Sequence, residues 1–153
     1  YFTDPPYGIP AGGKQELPYQ AVWRLSPNGR LVPIRTDLKK PNGIALSPDG
    51  KTLYVADTEG VVNVMGLDGR AIRSFGAVGS GWDGMRVDVK GNLYLSARDG
   101  IRIHRSTGEF LALVPTPRSA TNCAFGGADG RDLLITAGDA VHLARTPYPG
   151  LIR

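Results

Sequence analysis

Pro41-Asn42-Gly43-Ile44-Ala45-Leu46-Ser47-Pro48-Asp49-Gly50 is the stretch that decides the fold. A short apolar strand runs into a Ser-Pro-Asp-Gly turn. Strand-like runs follow at 53–57, 61–65 and 71–75, with breaks at Gly60 and at Asp68-Gly69. The unit then recurs. Trp82-Asp83-Gly84-Met85-Arg86-Val87-Asp88 opens a second copy, with runs at 93–97, 101–104 and 110–114. Asn122-Cys123-Ala124-Phe125 opens a third, with runs at 133–137 and 141–144. Asn42 and Asp83 are 41 residues apart, Asp83 and Asn122 are 39 apart, and Leu53, Leu93 and Leu133 are spaced by 40. Four short strands in about 40 residues is the pattern of a β-propeller blade. A sandwich also has short strands, but nothing in it calls for the same turn chemistry at that period.

Working outward, runs at 1–3, 22–25 and 31–34 form an earlier unit that lacks an innermost strand, and the last unit lacks an outermost one. The expectation is an all-β propeller of four-stranded blades, about three and a half of them, in units of about 1–38, 39–78, 79–117 and 118–153. Whole propellers have about 4–8 blades. The chain therefore reads as part of a ring, to be closed by missing blades or by a second copy.

Composition agrees. With 21 glycines and 12 prolines in 153 residues, the longest stretch free of both is Lys51 to Glu59. An average helix needs about 11–12 residues, so bundles and helical solenoids are excluded. No apolar run approaches the roughly 20 residues of a membrane helix. No signal peptide is readable, and an opening at Tyr1 without Met points to a fragment or trimmed product. A soluble protein of cytoplasm or periplasm is expected, the compartment being open. The single Cys123 excludes a disulfide framework and a Cys-rich zinc site. It reads as buried and unreactive. The net charge is +4, and its 13 arginines are scattered, with Lys39-Lys40 the one adjacent basic pair. That is a solvated mixed surface, without a nucleic-acid footprint.

Asn42, Asp83 and Asn122 read as occupying one register, each ahead of the innermost strand of its blade. Such positions converge at one channel mouth, where amide and carboxylate oxygens suit a hard divalent cation. The competing reading is that Asx-Gly makes only a turn. Asp57 and Asp99 read as turn caps, His104 and His142 as surface or inter-blade residues. No Ser-His-Asp pattern is readable.

Tyr1-Phe2-Thr3-Asp4-Pro5-Pro6-Tyr7-Gly8, Arg24-Leu25-Ser26-Pro27-Asn28-Gly29, Pro41 to Asp49, Trp82 to Asp88 and Asn122 to Gly130 together resemble the gluconolactonase family, which includes regucalcin. The resemblance runs the whole chain in order and spacing, and corresponds to the C-terminal half of a family member. It implies a six-bladed propeller with one divalent cation on its axis, calcium foremost, with zinc, magnesium or manganese as alternatives. It implies Asn42 and Asp83 as metal ligands and Asp83 as the general base of lactone hydrolysis. A carboxylate on a cation is a weak base, so one oxygen would hold metal while the other takes the proton. Asn122, Trp82 and Tyr7 are candidates for the substrate pocket. The family's first-blade Glu is not represented; Glu16 lies in a loop of the wrong blade. The other functions considered are a phosphoester or organophosphate hydrolase on the same scaffold, and a non-catalytic propeller module.

Overall fold

The computed structural model describes residues 1–76 and 81–151. The expected unit boundary near residue 78 lies outside the described residues. Fourteen strands are described. The first sheet has β1 (Phe2–Asp4), β2 (Ala21–Leu25) and β3 (Leu31–Arg35). The second has β4 (Pro41–Leu46), β5 (Thr52–Asp57), β6 (Val61–Gly66) and β7 (Ala71–Gly76). The third has β8 (Met85–Val87), β9 (Leu93–Ala97), β10 (Gly100–His104) and β11 (Phe110–Pro115). The fourth has β12 (Ala120–Gly126), β13 (Asp132–Ala137) and β14 (Ala140–Arg145). Each sheet is an antiparallel meander in chain order.

Three apolar layers hold the four sheets face to face, and strand alternation builds them. On β5, Leu53 and Val55 join Val22 and Leu38 beneath the first sheet. The alternate residues Tyr54 and Ala56 meet Met85, Leu93, Leu95 and Ala97 of the third sheet. On β9, Tyr94 turns the other way, to Cys123, Leu133 and Ile135 of the fourth sheet. Middle strands thus bury both faces, which is why Leu53-Tyr54-Val55-Ala56 reads as continuously apolar rather than alternating. The outer strands β7 and β11 are mostly exposed.

The turns repeat as the sequence suggests. Gly50 N donates to the Ser47 carbonyl (2.9 Å) and Gly91 N to the Asp88 carbonyl (2.9 Å). Both glycines have positive φ, 70° and 82°, a region a side chain disfavours. After β14 the chain returns to β8: Leu151 N donates to the Val87 carbonyl and Val89 N to the Pro149 carbonyl.

Candidate functional site: an amide–carboxylate pair at the inner-strand bulges

β4 lies against β8, and β8 against β12. Each carries an irregularity near its start. In β4 the pairing passes from Pro41↔Asp57 to Ile44↔Val55, leaving Asn42 and Gly43 opposite Ala56 alone. In the third sheet both Asp83 and Gly84 bond to Ser96: Asp83 N donates to its carbonyl (3.1 Å), and Ser96 N to the Gly84 carbonyl (2.9 Å). Two residues facing one is a β-bulge, which bends a strand and re-aims a side chain.

The glycine after each Asx serves close approach. Gly43 has no positive φ. A Cβ there would collide with the Asp83 carbonyl oxygen and stand 2.9 Å from Met85 Cβ. A Cβ on Gly84 would strike the Asn122 side chain. The turn reading of Asn42-Gly43 and Asp83-Gly84 is therefore replaced: these glycines let one inner strand lie on the next.

The strand register also corrects the expected triplet. Ile44, Met85 and Cys123 stand opposite the equivalent Val55, Leu95 and Ile135. Counting back, Asn42 and Asp83 share a register with Thr121, and Asn122 takes the glycine position. The third unit is one residue shorter than matching by Asx residues implies. Asn122 is exposed, lies on Gly84, and its Oδ1 accepts from Cys123 N (2.9 Å). Thr121 shares its hydroxyl with Thr136 (Oγ1 to Oγ1, 2.9 Å).

Asn42 and Asp83 are brought together. Both side chains line one cleft, and the Asn42 amide stands beside the Asp83 carboxyl as a hydrogen-bonding neighbour. Burial raises the Asp83 pKa, and the Asn42 hydrogen bond works the other way; no Lys or Arg contributes. A carboxylate only accepts, so the amide must present its NH2 group to it. Among the described residues, no donor is seen at Asn42 Oδ1, and the Asp83 carboxyl has lone pairs to spare. Two neighbours fix the pair. Thr3 Oγ1 donates to the Asn42 carbonyl (2.6 Å). Asp57 caps as expected, its Oδ2 accepting from Lys39 N (3.2 Å) and Lys40 N (3.3 Å), which sets the entry of β4.

The pair opens on a cleft of about 440 Å³, lined by Tyr7, Asn42, Thr58, Gly81, Trp82 and Asp83. Tyr7 is half-exposed on the long loop after β1, its hydroxyl donating to Thr58 Oγ1 (2.7 Å). Trp82 is among the residues that border the cleft. Its indole has no exposure and lies in the core between the second and third sheets, edge-on to His104 at 6.2 Å. Thr58 was missed by sequence reading; its only signal is its place directly after the capping Asp57.

Three other expectations resolve. His104 is fully buried, its Nδ1 bonded to the Gly108 carbonyl (3.1 Å) and its Nε2 unpartnered. Its pKa is lowered, chiefly by burial. Asp99 pairs with the Arg102 guanidinium instead of capping a turn. Cys123 is buried, and its thiol is pushed up to about 11 by burial.

Stacked antiparallel sheets in chain order, with an oxygen-donor pair on adjoining inner strands, define a propeller-like all-β protein. Residues 1–139 match the SMP-30/Gluconolactonase/LRE-like region, and the chain belongs to this family. It is 39% identical to a gluconolactonase of Zymomonas mobilis, over 95% of this chain and 47% of that protein. The structure of a gluconolactonase from Xanthomonas campestris superposes with a TM-score of 0.80 at 34% identity, over 98% of this chain and 52% of that one. A calcium-binding regucalcin from Agrobacterium tumefaciens shares the fold, with a TM-score of 0.68 at 23% identity over 79% of this chain and 45% of that one. The chain thus spans about half the length of the relatives it matches. Among the described residues, no helix is long and apolar enough to cross a membrane.

Proposed function

We propose that this chain is the part of a sugar-lactone hydrolase that supplies Asn42 and Asp83 to a divalent cation site, in a ring of six blades whose units here are about 1–38, 39–78, 79–117 and 118–153. The observation that carries the reading is that Asn42 and Asp83, on the bulges of adjoining inner strands, line one cleft. The donors fit a hard cation: both are oxygen, one is anionic, and no basic side chain neutralises the carboxylate. They are a partial set, because calcium takes about 6–8 oxygens, and no group of three or more His, Cys, Asp or Glu stands together among the described residues. All-oxygen donors suit calcium, magnesium or manganese and suit zinc less well. The remaining ligands fall to blades outside this chain.

When bound, the cation would polarise a lactone carbonyl and acidify water. Asn42 contributes a neutral oxygen and orients Asp83 through its NH2 group. Asp83 accepts the proton of the attacking water. Tyr7 borders the space a ring substrate would fill. The names of the relatives favour lactones over phosphoesters as substrates.

Turnover of D-glucono-δ-lactone by the complete ring tests this. Asp83→Ala should lower kcat by at least about 100-fold, the usual reach of a general base. Asn42→Ala should weaken the cation requirement's affinity while excess metal restores rate. Near-normal turnover of Asp83→Ala in excess metal would remove Asp83 from the chemistry.

A further inference from the structure

Thr58 ties together three segments that each bring a residue to the cleft. Its N donates to the Lys40 carbonyl (3.1 Å), two residues before Asn42. Its carbonyl accepts from Gly81 N (3.0 Å), and its Oγ1 donates to the Trp82 carbonyl (3.2 Å), just before Asp83. Its Oγ1 accepts from the Tyr7 hydroxyl (2.7 Å). Lys40 O is a second acceptor for the Thr58 hydroxyl, longer at 3.4 Å.

The proton count has a chemical consequence. A hydroxyl has one proton to give and two lone pairs to accept with. The Tyr7 proton is held by Thr58, and the Thr58 proton by backbone carbonyl. Toward the cleft, the Tyr7 oxygen offers only acceptor capacity. A ligand that satisfies it must bring a donor, and a ring hydroxyl is one. A bare lactone has none, and gains no hydrogen bond from the half-exposed Tyr7 oxygen.

We propose that Tyr7 is a specificity-determining acceptor that selects polyhydroxylated ring ligands over unsubstituted ones, with Thr58 as its positioning residue. This rests on the lactone reading above and names its substrate class. A ligand hydroxyl adds one hydrogen bond at this half-exposed oxygen, a gain that a ring without hydroxyls cannot make.

The test is an NMR titration of the complete ring with 1,5-anhydroglucitol, a stable six-ring polyol, and with tetrahydropyran, the same ring without hydroxyls. The expected result is saturable binding of the polyol, shifting Tyr7, Thr58 and Gly81 signals, with tetrahydropyran at least about threefold weaker. Tyr7→Phe and Thr58→Val should each weaken the polyol by about three- to tenfold, the size of one hydrogen bond. The double variant should be no weaker than either single one, because the two side chains act as a unit, and Thr58→Ser should restore binding. Unaltered melting temperatures separate this from misfolding. Wild-type indifference to the polyol, full affinity in Tyr7→Phe, or additive losses would overturn the inference. Calcium is titrated in parallel. Intact calcium binding with lost polyol selectivity spares the function and sinks this inference. Polyol selection through Tyr7 without calcium binding does the reverse.

Discussion

His104 shows how one buried side chain links pH to the fold around the site. It lies edge-on to Trp82, the residue before Asp83, and 5.4 Å from the Phe110 ring. Because Nδ1 faces a carbonyl, it must carry the proton, which leaves Nε2 as a buried lone pair. Burial disfavours the imidazolium, so the folded pKa lies below the ordinary value of 6.5. The unfolded chain therefore binds the proton first as pH falls. Stability should be fully present above about pH 6.5 and decline below it, with a slope approaching about 1.4 kcal/mol per pH unit until the folded pKa is reached. Urea denaturation between pH 7.5 and 5 measures this. His104→Phe should flatten the profile relative to wild type, and equal slopes would show that His104 does not titrate this way. The sequence marked His104 only as a surface or inter-blade residue. Its burial depends on Trp82 and Phe110 closing over it from two other segments, which no local pattern announces.

At the scale of the element, the bulges of the inner strands do what the Asx-Gly pairs only hinted at. The 40-residue period, the turn glycines and the apolar runs were all legible, because each is a local demand of strand and turn. The observed strands begin and end within a residue or two of those runs. The bulge was not legible, since it is defined by pairing with a partner strand. Matching by amide type therefore placed Asn122 one residue out of register, where Thr121 belongs. Gly43 gives the direct test. Gly43→Ala puts a Cβ into the Asp83 carbonyl and Met85, and overpacking of this kind costs about 1–3 kcal/mol. Gly76→Ala, at the end of β7 with nothing within 4 Å, should stay within about 0.5 kcal/mol of wild type. Denaturant midpoints measure both. A neutral Gly43→Ala would mean that β4 and β8 do not approach as closely as described.

At the scale of the whole molecule, the two terminal sheets show apolar outer faces. On the fourth sheet, Leu134, Val141 and Leu143 are 42%, 65% and 70% exposed. On the first, Phe2 stacks on Trp23, and Leu25 and Leu31 are exposed. The inner faces of the same sheets are packed, so the outer ones have the character of layers awaiting a neighbour. Expressed alone, the 153-residue chain should self-associate at micromolar concentration, and Val141→Lys with Leu143→Lys should shift it toward monomer in sedimentation velocity. A wild-type chain that is monomeric at high concentration would contradict that. Asn42 and Asp83 are proposed as two ligands of one cation, and calcium titration of the complete ring, followed through the Asn42 side-chain amide and the Gly84 backbone amide, decides whether they are. Saturable shifts at both positions are expected at one ion per complete ring, weakened at least about tenfold by Asp83→Asn, since calcium affinity follows the charge and number of its oxygen ligands. Calcium binding that leaves both signals unmoved, or that Asp83→Asn does not weaken, would contradict it.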